Sequence, residues 1–524
     1  MGAETLLTLL GLLIAAYAVL PVERQLDLKL RLKPLDWLVA ATALILIHYI
    51  QFYPVLSSLG VAPDLGSWRW GFDAENASYL IVLVAVVFIY SRARTATVRP
   101  STISTFRNLT ERLVSEERFS QALFLLERHL SALFRVYNSD YFLLRLRQRL
   151  APQGSFRFGE ATSTTDRLRR FTARLLPVFD RHPGIAGDTV RRFLVYEPFV
   201  SYLAKARPYF ALVILNHEFS EREDFLTLYI RALLRDKTSI IYDEIRHNQN
   251  LAKGRRYEIV EENRLIHYFL ADARVAERMA VWKPFGDFTL GYLDHQFRNS
   301  QADPYNLALG TYYEAGRWEC PIHATVWFFE AMVSEALYQG IEWHMWLYYL
   351  PPVVERIVRN LSPDFRTVEI WREWPTAYHY LLYAIFDVFS GWIESAADLP
   401  PTQENVALRN EMIDHENGNI PKSAILALGI CLRSVMLADA IDERFRAYLL
   451  DVVLRAYFDL LKKPTMQPFC RILRDVIVQG GFSGHRNDRE YSANVRAALE
   501  MVDQIPFLGP EWTELLRRVE ERAA

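Results

Sequence analysis

The sequence predicts a mainly α protein: an N-terminal bundle of three transmembrane helices followed by a large cytoplasmic all-α body of stacked helical hairpins. Three observations carry that prediction. Three uncharged apolar runs fall within the first 92 residues. The rest of the chain spaces its apolar residues at helical intervals. Alternating, strand-like runs bounded by hairpin dipeptides are scarce. A chain of 524 residues with 51% hydrophobic and 23% charged side chains is folded rather than disordered. Its net charge of −2 comes from 60 basic and 62 acidic residues, so no global excess demands a nucleic-acid partner. Cys320, Cys431 and Cys470 are too widely spaced for a disulfide framework or a cysteine zinc site.

The first apolar run, Thr5 to Val22, has 18 residues, the second, between Asp36 and Asp64, has 27, and the third, between Glu75 and Arg92, has 16. A bilayer core about 30 Å thick needs roughly 17–25 apolar residues in a helix that rises about 1.5 Å per residue. The spans are therefore expected at about residues 5–22, 37–58 and 77–92 of a transmembrane anchor over 1–97. The third is short, and Arg92 and Arg94 can extend it by reaching toward the headgroups. Only Glu4 precedes the first run, where a cleaved signal peptide would carry basic residues, so a retained helix is expected. The loop expected after the first run carries Arg24, Lys29, Arg31 and Lys33, and Arg92, Arg94 and Arg99 follow the third run. The stretch after the second run carries Arg69 alone among Asp64, Asp73 and Glu75. The positive-inside rule then puts the N-terminus outside and the body in the cytoplasm, as an integral protein of a prokaryotic inner membrane. His48 and Gln51 are polar within the second run, where such groups seek a partner or water.

Beyond residue 97 the expected pieces are a membrane-proximal helical region over 98–195, a central aromatic-rich helical domain over 196–398 and a C-terminal helical domain over 399–524. Breaks rich in Gly, Ser, Thr or Pro suggest these divisions. Phe119, Ala122, Leu123, Leu126 and Leu130 share one helix face, as do Phe445, Tyr448, Leu449, Val452 and Ala456. Trp512, Leu515, Leu516 and Val519 do the same after Pro510, a residue suited to a helix's first turn. Residues 117–130 resemble a tetratricopeptide-type helix hairpin, and residues 309–316 with the helix expected after them resemble a second. No regular 34-residue period joins them.

Between residues 145 and 192 eleven arginines face four acids, with no lysine. Arg145, Arg147, Arg149, Arg167, Arg169, Arg170, Arg174, Arg191 and Arg192 are the candidate anion-binding residues. A guanidinium is a planar fork matched to phosphate oxygens, so anionic lipid or nucleic acid is the ligand class they suit. Seven of the twelve tryptophans lie between Trp318 and Trp392, which predicts a densely packed aromatic core.

Arg409, Asn410 and His415, in the run RNEMIDH, resemble the short motif of HEPN ribonucleases. The resemblance implies that Arg409 would stabilise phosphate charge, that His415 would move the proton and that Asn410 would support them. Glu244 and His247 offer a carboxylate and an imidazole on one helix face without the second such pair that a di-iron bundle needs. Cys320 and His323 are two potential metal ligands without companions. The glycines of 480–486 could form a tight anion-binding turn, but lack hydrolase-elbow and P-loop spacing. No metal or cofactor is expected. The expected function is a non-enzymatic membrane-anchored scaffold or receptor that binds a protein partner, or a second copy of itself, and couples the event to the bilayer. An anchored ribonuclease and a membrane-disrupting oligomer are the alternatives.

Overall fold

The computed structural model describes residues 17–31, 34–60, 74–95, 98–138, 182–249, 256–299, 303–342, 345–362, 374–409, 419–481, 488–502 and 509–524, together with Gly11 and Ala15. The described residues are mainly α-helical and contain no strands, and Ala308 and Thr376 form an isolated antiparallel bridge. It divides into two compact units, residues 1–202 and 203–524.

The first unit begins with α1 (Val22–Arg31), α2 (Pro34–Ser58) and α3 (Ala74–Thr95). α2 and α3 pack against each other, and each is long and apolar enough to cross a membrane. Two of the described helices meet that test, where the sequence predicts three. Of the first apolar run, Gly11, Ala15 and Tyr17–Val19 are helical, Val22 opens α1, and residues 5–10, 12–14 and 16 lie outside the described residues. α3 extends three residues beyond each end of the predicted span, and its 22 residues reach about 33 Å. Gln51 Nε2 donates to Ser78 Oγ at 3.1 Å, joining the end of α2 to the start of α3.

The positively charged stretch after the first run, expected to be a loop, is the helix α1. No Gly or Pro interrupts it between Pro21 and Pro34, and its face Asp27, Leu30 and Arg31 is buried. Gln25 Nε2 donates back to the carbonyls of Tyr17 and Leu20 at 3.2 and 2.9 Å, closing the end of the preceding helix. α1 packs against α5 (Phe119–Tyr137) and α3. α4 (Ile103–Ser115), α5 and α6 (His182–Leu194) all pack on one another. The α4–α5 hairpin turns at Glu117, whose φ of +55° is unusual for a side chain. Residues 117–130 supply the end of its turn and the larger part of α5 rather than a hairpin of their own. α7 (Glu197–Ala206) leads to the end of the unit.

In the second unit, α8 (Phe210–Leu215), α9 (Arg222–Arg235), α10 (Ile240–His247), α11 (Arg264–Leu270) and α12 (Ala273–Arg278) precede a longer stack. That stack is α13 (Trp282–Arg298), α14 (Pro321–Tyr338), α15 (Leu350–Asn360), α16 (Ala377–Ala396), α17 (Ile420–Met436), α18 (Glu443–Leu461), α19 (Gln467–Gln479), α20 (Arg489–Met501) and α21 (Pro510–Ala523). Each helix packs on the next but one. The odd members from α13 to α21 form one layer and the even members from α14 to α20 the other. This alternation is how helical hairpins stack when each buries its apolar face against its neighbours. α14 and α16, at the centre of the aromatic region, are buried almost all round. The second expected tetratricopeptide-like hairpin differs: residues 310–315 are turns and Gly316–Glu319 is a short 3-10 helix, with Gly310 at φ +52°. α21 starts at Pro510 and buries Leu515 and Val519, as the sequence predicts.

Candidate functional site

Asp27 of α1 lies at the centre of a buried charged cluster in the first unit. Its Oδ1 accepts from Arg31 Nε at 2.9 Å and from His129 Nε2 at 2.9 Å. Its Oδ2 meets an Arg31 terminal nitrogen at 2.8 Å and Arg128 Nε at 3.1 Å. The Arg31 pairing is a bidentate i,i+4 fork within α1, and Arg128 and His129 reach it from α5. Asp27, Arg31 and His129 are each 5% exposed or less. Burial pushes the Asp27 carboxyl up, but hydrogen bonds from His129 and Arg31 and the nearby guanidinium charges outweigh it, holding the group below its ordinary value. Phe106 of α4 meets the His129 ring edge-on at 5.8 Å. The cluster holds α1 to α5 through charge-assisted bonds, those of Arg31 and His129 buried and that of Arg128 at the surface.

A groove of about 330 Å³ between α4 and α6 contains the described part of the arginine-rich segment. Thr110, Glu111, Val114 and Ser115 line one side, with Thr189, Arg192, Phe193 and Tyr196 on the other. Arg192 pairs with Glu111 at 2.6 Å, and Arg107 joins the same carboxylate at 3.0 Å. Thr110, Thr189 and Ser115 donate to carbonyls of their own helices. Glu111 is thus shared between two guanidiniums, and Arg107 also meets Asp188 at 3.7 Å. Arg191 is exposed on the same helix. Arg145, Arg147, Arg149, Arg167, Arg169, Arg170 and Arg174 lie outside the described residues.

Arg409 lies in a bend and meets Glu342 at 3.3 Å, with both side chains at least half exposed. Asn410 and His415 lie outside the described residues. The next helix, α17, starts at Ile420, where Asn419 Oδ1 accepts from Lys422 N at 2.9 Å.

Other candidates have structural tasks. Glu244 accepts from the backbone N–H groups of Leu265 and Ile266, both at 2.9 Å, and so closes the N-terminus of α11. Burial raises its pKa despite those bonds. Cys320 Sγ accepts from His323 N at 3.4 Å and lies 3.5 Å from Tyr305 Oη. His323 is buried among Trp318 and Tyr380, and desolvation, helped by the Arg317 charge, lowers its pKa to about 3. It is a neutral core imidazole. Gly480 ends α19 in the left-handed conformation at φ +68°, a standard helix stop. Among the described residues no group of three His, Cys, Asp or Glu side chains could hold a metal ion.

The sequence reasoning missed the Asp27 cluster. Its local signal was the i,i+4 spacing of Asp27 and Arg31, but its other half, His129, is 102 residues away. No protein family, curated protein or solved structure matches the chain.

Proposed function

We propose that this chain is a membrane-anchored helical scaffold or receptor whose cytoplasmic body binds a protein partner and couples that event to the bilayer. The observation that carries the reading is the Asp27 cluster. It ties α1, the helix between the apolar segments, to α5 of the helical body through two charge-assisted contacts, from Arg128 and His129 to Asp27. A movement of α5 would be passed to the chain on both sides of α1, into the first apolar run and into α2. The two-layer stack of the second unit supports the scaffold half, because stacked hairpins present extended surfaces suited to protein partners. Exposed apolar side chains support the membrane half: Trp37, Leu38, Ile45, Phe52, Leu80, Val84 and Tyr90 face outward from α2 and α3. In this reading the N-terminus is outside and the body in the cytoplasm of a prokaryotic cell.

Three chains test it in cells: full length, a deletion of residues 1–97, and His415→Ala. The scaffold reading expects the full-length chain in the membrane fraction, crosslinked to the same protein neighbour with or without His415, and cellular RNA intact throughout. RNA cleavage that survives the deletion and vanishes in His415→Ala would overturn it in favour of a nuclease. Collapse of the membrane potential on expression of the full-length chain would favour a membrane-disrupting effector. A C-terminal reporter active only in the periplasm would reverse the orientation.

A further inference from the structure

The face of α2 turned away from α3 carries a groove of about 440 Å³ lined by Leu44, Ile45, His48, Tyr49, Phe52 and Leu56. We propose that this groove is the self-association face of the protein, and that a second copy of the chain occupies it within the bilayer. The inference rests on the membrane-spanning reading of α2 and α3.

Depth comes first. Gln51 bonds Ser78, which lies four residues into the span that begins at Ala74, so the two are level near one membrane surface. His48 is one helical turn further in, about 10 Å inside the apolar slab. Water is scarce at that depth, and a polar atom left without a partner there is costly. The His48 Nδ1–H donates to the Leu44 carbonyl at 2.9 Å, the way an intramembrane side chain satisfies itself on its own helix. Its Nε2 then faces outward as an acceptor, and among the described residues nothing donates to it. Beside it, the Tyr49 hydroxyl makes no hydrogen bond among the described residues either. Neighbours at i and i+1 point in different directions along a helix, so the pair cannot satisfy itself.

The choice of occupant follows from this pair. A lipid tail offers neither donor nor acceptor. A second copy, related by a two-fold axis along the membrane normal, brings each residue against the same depth of its partner. His48 and Tyr49 differ by about 1.5 Å in height. One copy's Tyr49 O–H can therefore donate to the other's His48 Nε2, and the reverse, while Leu44, Phe52 and Leu56 supply the packed surround. The groove complements itself.

The test uses full-length protein in lipid nanodiscs and in native membranes. The native cysteines Cys320, Cys431 and Cys470 are buried, so oxidative crosslinking reports introduced ones. Ile45→Cys on the groove should give a covalent dimer, and Val84→Cys on α3 should not. Without crosslinker, His48→Leu and Tyr49→Phe should each weaken dimerisation about eightfold, from two lost bonds at about 0.6 kcal/mol each. Either change alone removes both reciprocal bonds, so the double variant should fall no further. Unchanged helicity and resistance to carbonate extraction show that the variants fold and insert, and the milder Tyr49→Phe stands as an independent test. Protein that stays in carbonate-washed membranes yet is monomeric at every density overturns the dimer alone. Protein released by carbonate overturns the membrane reading beneath it. Crosslinking as strong at Val84 as at Ile45 overturns the proposal, as does an intramolecular Leu9→Cys to Ile45→Cys crosslink, which would give the groove to the chain's own first run.

Discussion

α2 and α16 are alike as sequence and opposite as structure. Each is a long apolar helix rich in aromatic and aliphatic residues. α16 lies between α14 and α18 in its layer and against α17 and α15 across the stack, and only a few of its side chains reach the surface. α2 has α3 on one side, and Trp37, Leu38 and Ile45 stand more than 60% exposed. The apolar content that builds a core in one place makes a surface in the other. Neighbours, rather than composition, separate a core helix from an exposed apolar one.

The largest expected effect sharpens that contrast. Trp392, at 1% exposure, donates its indole N–H to the Glu330 carbonyl at 3.2 Å and packs edge-on against Phe389. Trp392→Ala should cost the body about 3–5 kcal/mol in thermal or denaturant unfolding. Trp37→Ala, the same change on α2, should leave that unfolding transition in place. Equal losses from the two would erase the distinction between the helices.

The two regions also bury their carboxylates differently. Glu244 is held by backbone N–H groups, whereas Asp27 is held by two guanidiniums and an imidazole. Asp27→Ala removes the acceptor that Arg31, Arg128 and His129 share and should loosen α1 from α5 by about 3 kcal/mol. Replacing the cluster with Asp27→Leu, Arg31→Met and His129→Leu together should restore most of the lost stability, because packed apolar side chains need no counter-charge. Amide exchange across α5 measures both. Acid acts on the same bond. The carboxyl has a lowered pKa in the fold, so its contribution is complete above the unfolded value of about 3.9 and is lost as pH falls through the lower folded value. Protection of α5 should therefore hold from about pH 8 to about pH 5 and fall below about pH 4, and a loss near neutral pH would contradict that assignment.

Much of this was legible in advance, and the exceptions share a cause. Length and lack of charge marked α2 and α3. Periodicity marked α5, α18 and α21, because a helix face is written within a few turns of sequence. α1 was read as a charged loop because Arg24, Lys29 and Arg31 look like the basic flank of a membrane span. Arg31 is in fact neutralised by Asp27, and the partner that buries the pair comes from a distant helix. The alternating layers of the stack are likewise long-range, set by which hairpin meets which. The His48 groove was half legible: the sequence marked the polar residue, and only the packing of α2 on α3 shows which side of the helix it occupies.

A smaller effect tests the tightness of the stack. A Cβ on Gly429 of α17 would come within 2.1 Å of Val476 Cγ1 and 3.1 Å of the Gly481 backbone, where α17 and α19 meet. Gly429→Ala should destabilise the body by about 1–3 kcal/mol through overpacking, read by the same melt as Trp392→Ala. An unchanged melt would mean that the two helices can part at no cost.

The central claim is that α1 and α5 are joined at Asp27. Hydrogen exchange on the full-length protein in nanodiscs tests it, comparing the native chain with Asp27→Ala. The account predicts faster exchange across Phe119–Tyr137 and Val22–Arg31, with Ile420–Met436 unchanged. Identical exchange of α1 and α5 in the two proteins would contradict it.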